Sequence, residues 1–200
     1  MKAELFIQLI KASLVIAPTK DIRYYLNGVH FSYDNIRHNL KVQSTDGHII
    51  TRAFTRFDNT FIDKDNDGFI LSVQDCKTAV QALKAYVKYD IKLVFNTDSN
   101  TLHIGINDND RWLTFNGVDG RYPDTDRVIH PEHKAENTTE LGLNYELLGK
   151  IGKYLKQFKV KQAQAKMVMF GASGGIQFNR TIETCDEEVF VDGRVMPCRL

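Results

Sequence analysis

The strongest constraint on the fold is a pattern of helix and strand signals that repeats at an interval of about 70 residues. Three segments read as amphipathic helices, at residues 4–17, 72–88 and 144–158, so their starts lie 68 and 72 residues apart. Pro18 stops the first of these helices. Repetition at a fixed interval is typical of structural units that each bury one face against a neighbour.

Each predicted helix is followed by three short runs of β-branched and aromatic residues bounded by turn residues. These strands are predicted at residues 24–33, 40–44 and 48–57, at 91–95, 101–106 and 111–115, and at 167–170, 176–179 and 189–195. Opening strands are also predicted before the second and third helices, at residues 68–71 and 140–143. The sequence therefore predicts an α+β fold of three tandem β-α-β-β-β units, the first without its opening strand, with antiparallel sheets backing the helices.

Composition excludes several classes of protein. The 200 residues include 26 basic and 25 acidic side chains, and a net charge of +1 excludes a strongly basic nucleic-acid binder. Three cysteines are too far apart for a disulfide framework or a zinc site and fit a reducing cytosol: Cys76, Cys185 and Cys198. Charged and polar residues interrupt the apolar N-terminal run, so we expect no signal peptide, no membrane span and a cytoplasmic location.

Positive charge is concentrated on two of the predicted helices. Residues 72–88 and 144–159 together hold seven lysines against two acidic residues, so the rest of the chain carries a net charge of −4. On the third helix the lysines fall opposite the apolar arc, and the second helix repeats this separation. Such a face is either a solvated surface or a surface that binds DNA phosphates without reading the base sequence.

Four short motifs occur in order along the chain. They are D-I-R-Y-Y-L-N-G at 21–28, S-T-D-G-H at 44–48, D-G-R-Y-P-D with a following R-V at 119–128, and V-M-P-C-R-L at 195–200. Together they resemble the bacterial sliding clamp, the β subunit of DNA polymerase III. The resemblance implies a clamp fold, with residues 1–131 similar to the middle domain of the family and residues 132–200 similar to the second half of its last domain.

The resemblance also implies a function in DNA replication. Clamps of this family form rings of twelve such units that encircle duplex DNA and tether a polymerase, with no catalytic step and no cofactor. Three units in one chain imply a homotetramer whose neighbours meet across two-fold axes, loaded onto DNA by a clamp loader. A compact chain of this kind would suit a phage or mobile element.

Two sets of site residues follow from matching the motifs. The partner groove, which in the family takes short peptides with apolar anchors from the polymerase and other proteins, would use Leu26, Thr45, Gly47, His48, Pro123, Arg127, Val128, Val195, Met196, Pro197, Arg199 and Leu200. The residues facing DNA would be Lys20, Arg23, Tyr24 and Tyr25 near the rim, with Lys77, Lys84, Lys88, Lys150, Lys153 and Lys156 on the helices.

Two other functions remain open at this stage. A shortened clamp could act as a decoy or inhibitor that captures clamp-binding peptides or caps a host clamp, although it would not need the lysine faces. The segment from Asp63 to Gly68 resembles a calcium-binding loop, but Gln74 stands where that loop needs a bidentate carboxylate. The pair His130 and His133 has Pro131 between its members and no evident third ligand, so we expect no metal site.

Overall fold

The computed structural model describes residues 1–34, 36–57, 68–96, 98–106, 111–129 and 141–198. Three helices of 11 or 12 residues dominate it: α1 (Ala3–Leu14), α2 (Val73–Leu83) and α4 (Tyr145–Lys156). Two single turns are α3 (Thr125–Val128) and α5 (Gly171–Gly174), and 3₁₀ turns span Tyr24–Leu26 and Lys84–Tyr86. No helix in these described ranges is long and apolar enough to cross a membrane.

Side-chain caps define where two of these helices begin. The hydroxyl of Ser72 accepts a hydrogen bond from the backbone N–H of Asp75 at 3.0 Å, and the amide oxygen of Asn144 accepts one from Glu146 at 2.8 Å. Both caps satisfy backbone donors that the first turn leaves free. The predicted starts of the second and third helices are therefore confirmed to within a residue.

Within the described part of the chain, ten strands form two antiparallel sheets. The strands are β1 (Gly28–Asp34), β2 (Asn39–Thr45), β3 (Ile49–Arg56), β4 (Phe69–Ser72), β5 (Ile91–Asn96), β6 (Thr101–Ile106), β7 (Arg111–Asn116), β8 (Lys166–Met169), β9 (Ile176–Thr184) and β10 (Glu187–Val195). The larger sheet has the order β4-β1-β2-β3-β10-β9-β8, and the smaller has the order β5-β6-β7. The larger sheet thus takes strands from all three units, and the predicted α+β architecture with antiparallel sheets is confirmed.

Two strand predictions are wrong in detail. The first predicted strand, 24–33, begins only at Gly28, because Tyr24–Leu26 forms a 3₁₀ turn and Asn27 hydrogen-bonds Asp21 through both its amide atoms. The strand predicted at 140–143 is not formed over its described residues, 141–143. There the carbonyl of Gly142 accepts a hydrogen bond from the backbone of Cys198 at 2.9 Å, so this segment bonds the last described residue instead of a sheet.

The core lies between the helices and the inner faces of the sheets. Helix α1 is central and packs against both α2 and α4. Leu5, Phe6 and Leu9 on α1 are completely buried, and the Phe6 ring lies 5.7 Å from that of Phe31 on β1. Helix α1 is apolar around most of its circumference, which suits a helix with neighbours on both flanks. Helices α2 and α4 each keep one polar face.

Candidate functional site

The tight turn between β2 and β3 is the centre of the predicted groove. Gly47 adopts a φ of 89°, and the hydroxyl of Thr45 accepts a hydrogen bond from the Gly47 backbone at 3.0 Å. The Asp46 carboxylate accepts hydrogen bonds from the backbone of His48 at 2.9 Å and of Ile49 at 3.0 Å. The T-D-G-H motif therefore encodes the geometry of a turn, which leaves Gly47 and His48 at the surface.

Two cationic side chains bind Asp46 in this turn. The ammonium group of Lys150 on α4 lies 2.6 Å from the Asp46 carboxylate, and the Arg23 guanidinium donates to the Asp46 carbonyl at 3.3 Å while also pairing with Asp21. Partial burial raises the pKa of Asp46, but Lys150 and the two backbone N–H groups outweigh it and hold that pKa below its usual value. Hydrogen bonding to Arg23 lowers the pKa of Asp21 to about 2.

The C-terminal segment runs alongside the same turn. Val195 pairs with Ile49 at the end of the β3–β10 ladder, and the backbone N–H of Met196 donates to the His48 carbonyl at 2.8 Å. Gly175 permits a close approach here, since a Cβ atom at that position would lie 2.1 Å from the Val195 carbonyl oxygen. The structure therefore brings together two of the sequence motifs, which are separated by about 150 residues of chain.

The third part of the predicted groove is the segment around α3. Arg194 on β10 donates to the Val128 carbonyl and to the Gly174 carbonyl, both at 2.6 Å, and its guanidinium carbon lies 4.9 Å from the centre of the Phe170 ring. One buried arginine thus fixes α3 and α5 against the end of β10. The motif match did not select Arg194 because its role depends on strand pairing that periodicity cannot reveal.

Leu26 reaches this region through a small apolar cluster. It packs with Ile70 and Tyr122, and burial raises the pKa of the Tyr122 phenol, with the Thr45 backbone opposing the shift and the Asp46 charge adding to it. Tyr122 therefore links Leu26 to the β2–β3 turn. The neighbouring Pro123 is exposed and lines a cavity of about 670 Å³ against the outer face of β1 and β2.

The predicted groove residues differ in exposure. Leu26, Thr45 and Val195 are buried, Gly47, His48, Pro123 and Arg127 are exposed, and Val128, Met196 and Pro197 are half-buried. Arg199 and Leu200 lie outside the described residues, as do 63–67 of the calcium-like segment and the His130–His133 pair. The buried members support the turn and the sheet edge, so contact with a peptide would fall to the exposed and half-buried members.

The helix lysines lie on the side of the molecule away from the sheets. Lys77, Lys84, Lys88, Lys153 and Lys156 are exposed, whereas Lys150 is half-buried by its pairing with Asp46. The sequence analysis missed Lys11, the exposed lysine on α1. Lysines from α1, from the 3₁₀ turn that follows α2 and from the end of α4 meet around one shallow cavity of about 270 Å³, whose lining includes Lys11, Lys84, Lys156 and Lys159. We call the surface that carries these exposed side chains the lysine face; its members are Lys11, Lys77, Lys84, Lys88, Lys153, Lys156 and Lys159.

The rim segment projects from the end of α1. Lys20 and Tyr24 are exposed, and Tyr25 is half-buried in an edge-to-face contact with Tyr24 at 5.7 Å between ring centres. The side chain of Ile22 is 99% exposed. Arg23 is exposed as well, but its guanidinium pairs with Asp21 and donates to the Asp46 carbonyl of the β2–β3 turn.

A buried charge network joins the first and third units behind the groove. Arg52 on β3 makes two hydrogen bonds to Asp192 on β10, at 2.7 and 2.5 Å, and a third to Asp126 of α3 at 2.6 Å. Lys41 on β2 also pairs with Asp126, at 2.8 Å. The network therefore fixes the position of α3 relative to the junction of the two units.

Solved structures similar to this chain include bacterial sliding clamps. The β subunit from Streptococcus pyogenes superposes with a TM-score of 0.73 at 16% identity, covering 100% of this chain and 65% of that one. The Thermotoga maritima β subunit gives 0.71 at 15% identity with the same coverages, and the Helicobacter pylori β clamp in complex with diflunisal gives 0.71 at 13%, covering 97% and 64%. This chain thus spans a little under two thirds of the clamps it matches.

The amino-acid sequence itself matches the same family. A family model for the DNA polymerase III β subunit, central domain, matches residues 1–124. The chain therefore belongs to the DNA polymerase III β-subunit family, and the resemblance inferred from the four motifs is confirmed. No curated protein matches the sequence.

Proposed function

We propose that this chain is a processivity factor that assembles around duplex DNA and holds a polymerase on it, with no catalytic step of its own. The observation that carries the proposal is the lysine face, to which α1, α2 and α4 all contribute. Lysines attract phosphates without reading bases, so this surface suits a protein that must remain on DNA while moving along it. The decoy function has less support because a decoy would need only the peptide groove.

Charge reversal on the lysine face tests the proposal. The variant Lys153→Glu/Lys156→Glu changes two exposed side chains of α4, and its matched control is Lys92→Glu. Lys92 is an exposed lysine on β5 whose neighbours Ile91 and Leu93 point into the core, so it faces away from the helices. Fluorescence anisotropy with a labelled duplex at several salt concentrations gives the affinity and its salt slope.

We expect the α4 variant to bind duplex DNA more weakly and with a flatter salt dependence. Each phosphate contact that is lost reduces the slope of log K against log salt by about 0.9. The Lys92→Glu control should keep the slope of the unaltered protein. Equal slopes for all three proteins would mean that the lysine face is only a solvated surface, and the proposal would fail.

We also propose that the surface around the β2–β3 turn and residues 195–198 is the groove that recruits the polymerase and other proteins with clamp-binding peptides. Support comes from the convergence of separate motifs there and from the half-exposed apolar side chains of Val128, Met196 and Pro197. A shallow apolar surface with polar edges suits weak, exchangeable peptide binding.

The ring that this function needs would contain four chains. Family rings hold twelve β-α-β-β-β units, and this chain contributes three, divided between a domain at 1–131 and a half-domain at 132–200. The expected mass is about 92 kDa, four times the 22.9 kDa of one chain. Opening such a ring around DNA would be the task of a clamp loader.

A further inference from the structure

The chain contains its own example of how two units join edge to edge. The last strand of the first unit, β3, pairs antiparallel with the last strand of the third unit, β10, over seven residue pairs. The helices of these two units, α1 and α4, pack against each other on the inner face. One of the two junctions between units in the larger sheet therefore pairs a last strand with a last strand, whereas the other pairs β1 with β4, the opening strand of the second unit.

The last strand of the second unit lacks such a neighbour. Within the described ranges, β7 pairs only with β6, which leaves its other edge open. Trp112 on this strand is 44% exposed, and β7 has neither a lysine nor a proline to discourage pairing. A six-residue edge of this composition is a template for another strand.

The other sheet edges are shorter or partly occupied. The β4 edge receives a hydrogen bond from the backbone of Val118 to the Ile70 carbonyl at 2.8 Å. The β5 edge begins beside the N-terminus, where Ile91 donates to the Met1 carbonyl at 2.9 Å and Lys2 bridges Asp90. The β8 edge has only four residues. Of the edges in the described structure, β7 therefore offers the longest uninterrupted ladder.

We propose that β7 pairs antiparallel with β7 of a second copy of this chain across a two-fold axis. This inference deepens the proposed ring, on which it rests for its biological use. The partner is a second copy because β7 is the last strand of its unit, and the chain already shows that last strands pair with one another. In a two-fold contact each copy contributes the same strand.

The alternation of side chains and the length of β7 together favour two registers, those centred on Leu113 and on Thr114, which pair the most residues of Arg111–Asn116. Leu113 and Phe115 face the core and Trp112 and Thr114 face outward, and residues directly opposite in an antiparallel pair share a face. The axis must therefore pass through a residue and not between two. Centred on Leu113, it places Trp112 opposite Thr114 of the partner subunit; centred on Thr114, it places Leu113 opposite Phe115 of the partner subunit.

Either register has the same consequences. It covers the edge beside Trp112, and it extends the inner apolar face from one copy to the next. By the precedent of α1 and α4, it also places the α2 helices of the two copies side by side, so that the lysine face with Lys77 and Lys84 continues across the contact. The smaller sheet would then become six-stranded.

Trp112 is the single tryptophan of the chain, so its fluorescence reports directly on this edge. We expect its emission to shift to shorter wavelength as protein concentration rises, in step with the mass measured by light scattering. Thr114→Glu places like charges close to the axis in both registers and should abolish the shift and lower the mass. Lys92→Glu, on the opposite edge of the same sheet, should change neither.

Cross-linking gives an independent measurement. In a chain with Cys185→Ser and Cys198→Ser, either Leu113→Cys or Thr114→Cys should form a disulfide-linked dimer on mild oxidation, because the residue on the axis meets its own copy. Lys92→Cys should not. If Lys92→Cys cross-links and neither β7 variant does, or if the Thr114→Glu protein keeps the mass and emission of the unaltered protein, the proposal is overturned. None of these assays contains DNA, so their failure would leave the salt-slope test of the proposed function unaffected.

Discussion

The buried ion pair between Arg52 and Asp192 joins the first and third units, and replacing one partner should destabilise the protein strongly. The two side chains are 7% and 6% exposed. In Arg52→Met the apolar stem is retained, but the Asp192 carboxylate loses both of its hydrogen bonds from Arg52. Leaving one member of a buried pair without its partner destabilises proteins by roughly 3–5 kcal/mol, and we expect about 3 kcal/mol here.

A matched control separates this effect from a general loss of charge. Lys41→Met removes the other cation beside Asp126, whose own side chain is 64% exposed, so we expect a loss of about 1 kcal/mol or less. The double variant Arg52→Met/Asp192→Val removes both buried charges. Because apolar residues of similar volume can replace a buried ion pair, its free energy of unfolding should return to within about 1 kcal/mol of the unaltered protein.

Urea denaturation followed by circular dichroism measures these differences at one fixed protein concentration, since association would otherwise change the apparent stability. With a urea m-value of about 2 kcal/mol/M, a loss of 3 kcal/mol lowers the midpoint by about 1.5 M. If Arg52→Met and Lys41→Met shift the midpoint equally, or if the double variant is less stable than Arg52→Met, the network does not hold the two units together as described.

Two further predictions concern the groove. Deleting residues 196–200 should abolish binding of a fluorescent clamp-binding peptide of the family while the circular dichroism spectrum is retained; unchanged affinity would place the peptide site elsewhere. Asp46→Asn should lower the urea midpoint at pH 7, because the pKa of Asp46 is depressed in the folded state and its ionised form contributes stability above about pH 4. This gap should narrow as the pH falls below about 4 and the Asp46 carboxylate becomes protonated; a gap that does not change with pH would contradict the assigned role of Lys150.

Local patterns were sufficient to predict the units but not their assembly. Helix α4 was predictable because its apolar arc, its lysines and the Asn144 cap all lie within one short segment. The strand expected at 140–143 failed because its described residues bond the C-terminal segment instead, through Gly142 and Cys198. A short apolar run is compatible with either outcome, and only the tertiary contact decides between them.

The candidate site likewise combines features that the sequence predicts with contacts that it does not predict. The turn at Gly47 was implied by the gap between the strands predicted at 40–44 and 48–57, and Asp-Gly there suits a tight turn because glycine adopts positive φ without strain. The pairing of Arg52 with Asp192, and of Lys150 with Asp46, was hidden because each joins residues more than 100 positions apart. Pairing between distant strands depends on register, and neither composition nor periodicity within one strand encodes its partner.

The junction of β3 with β10 also determines the order in which the chain can become complete during its synthesis. Arg52 and Asp192 are separated by 140 residues, so at the usual ribosomal rate of about 5–20 residues per second β3 is made roughly 7 to 28 s before its neighbour. Throughout that interval one edge of β3 in the nascent first unit has no paired strand. The flank of α1 that α4 later covers is also exposed to solvent. Long-range strand pairing of this kind forms slowly, so neighbouring nascent chains on one messenger RNA have time to pair with each other through β3.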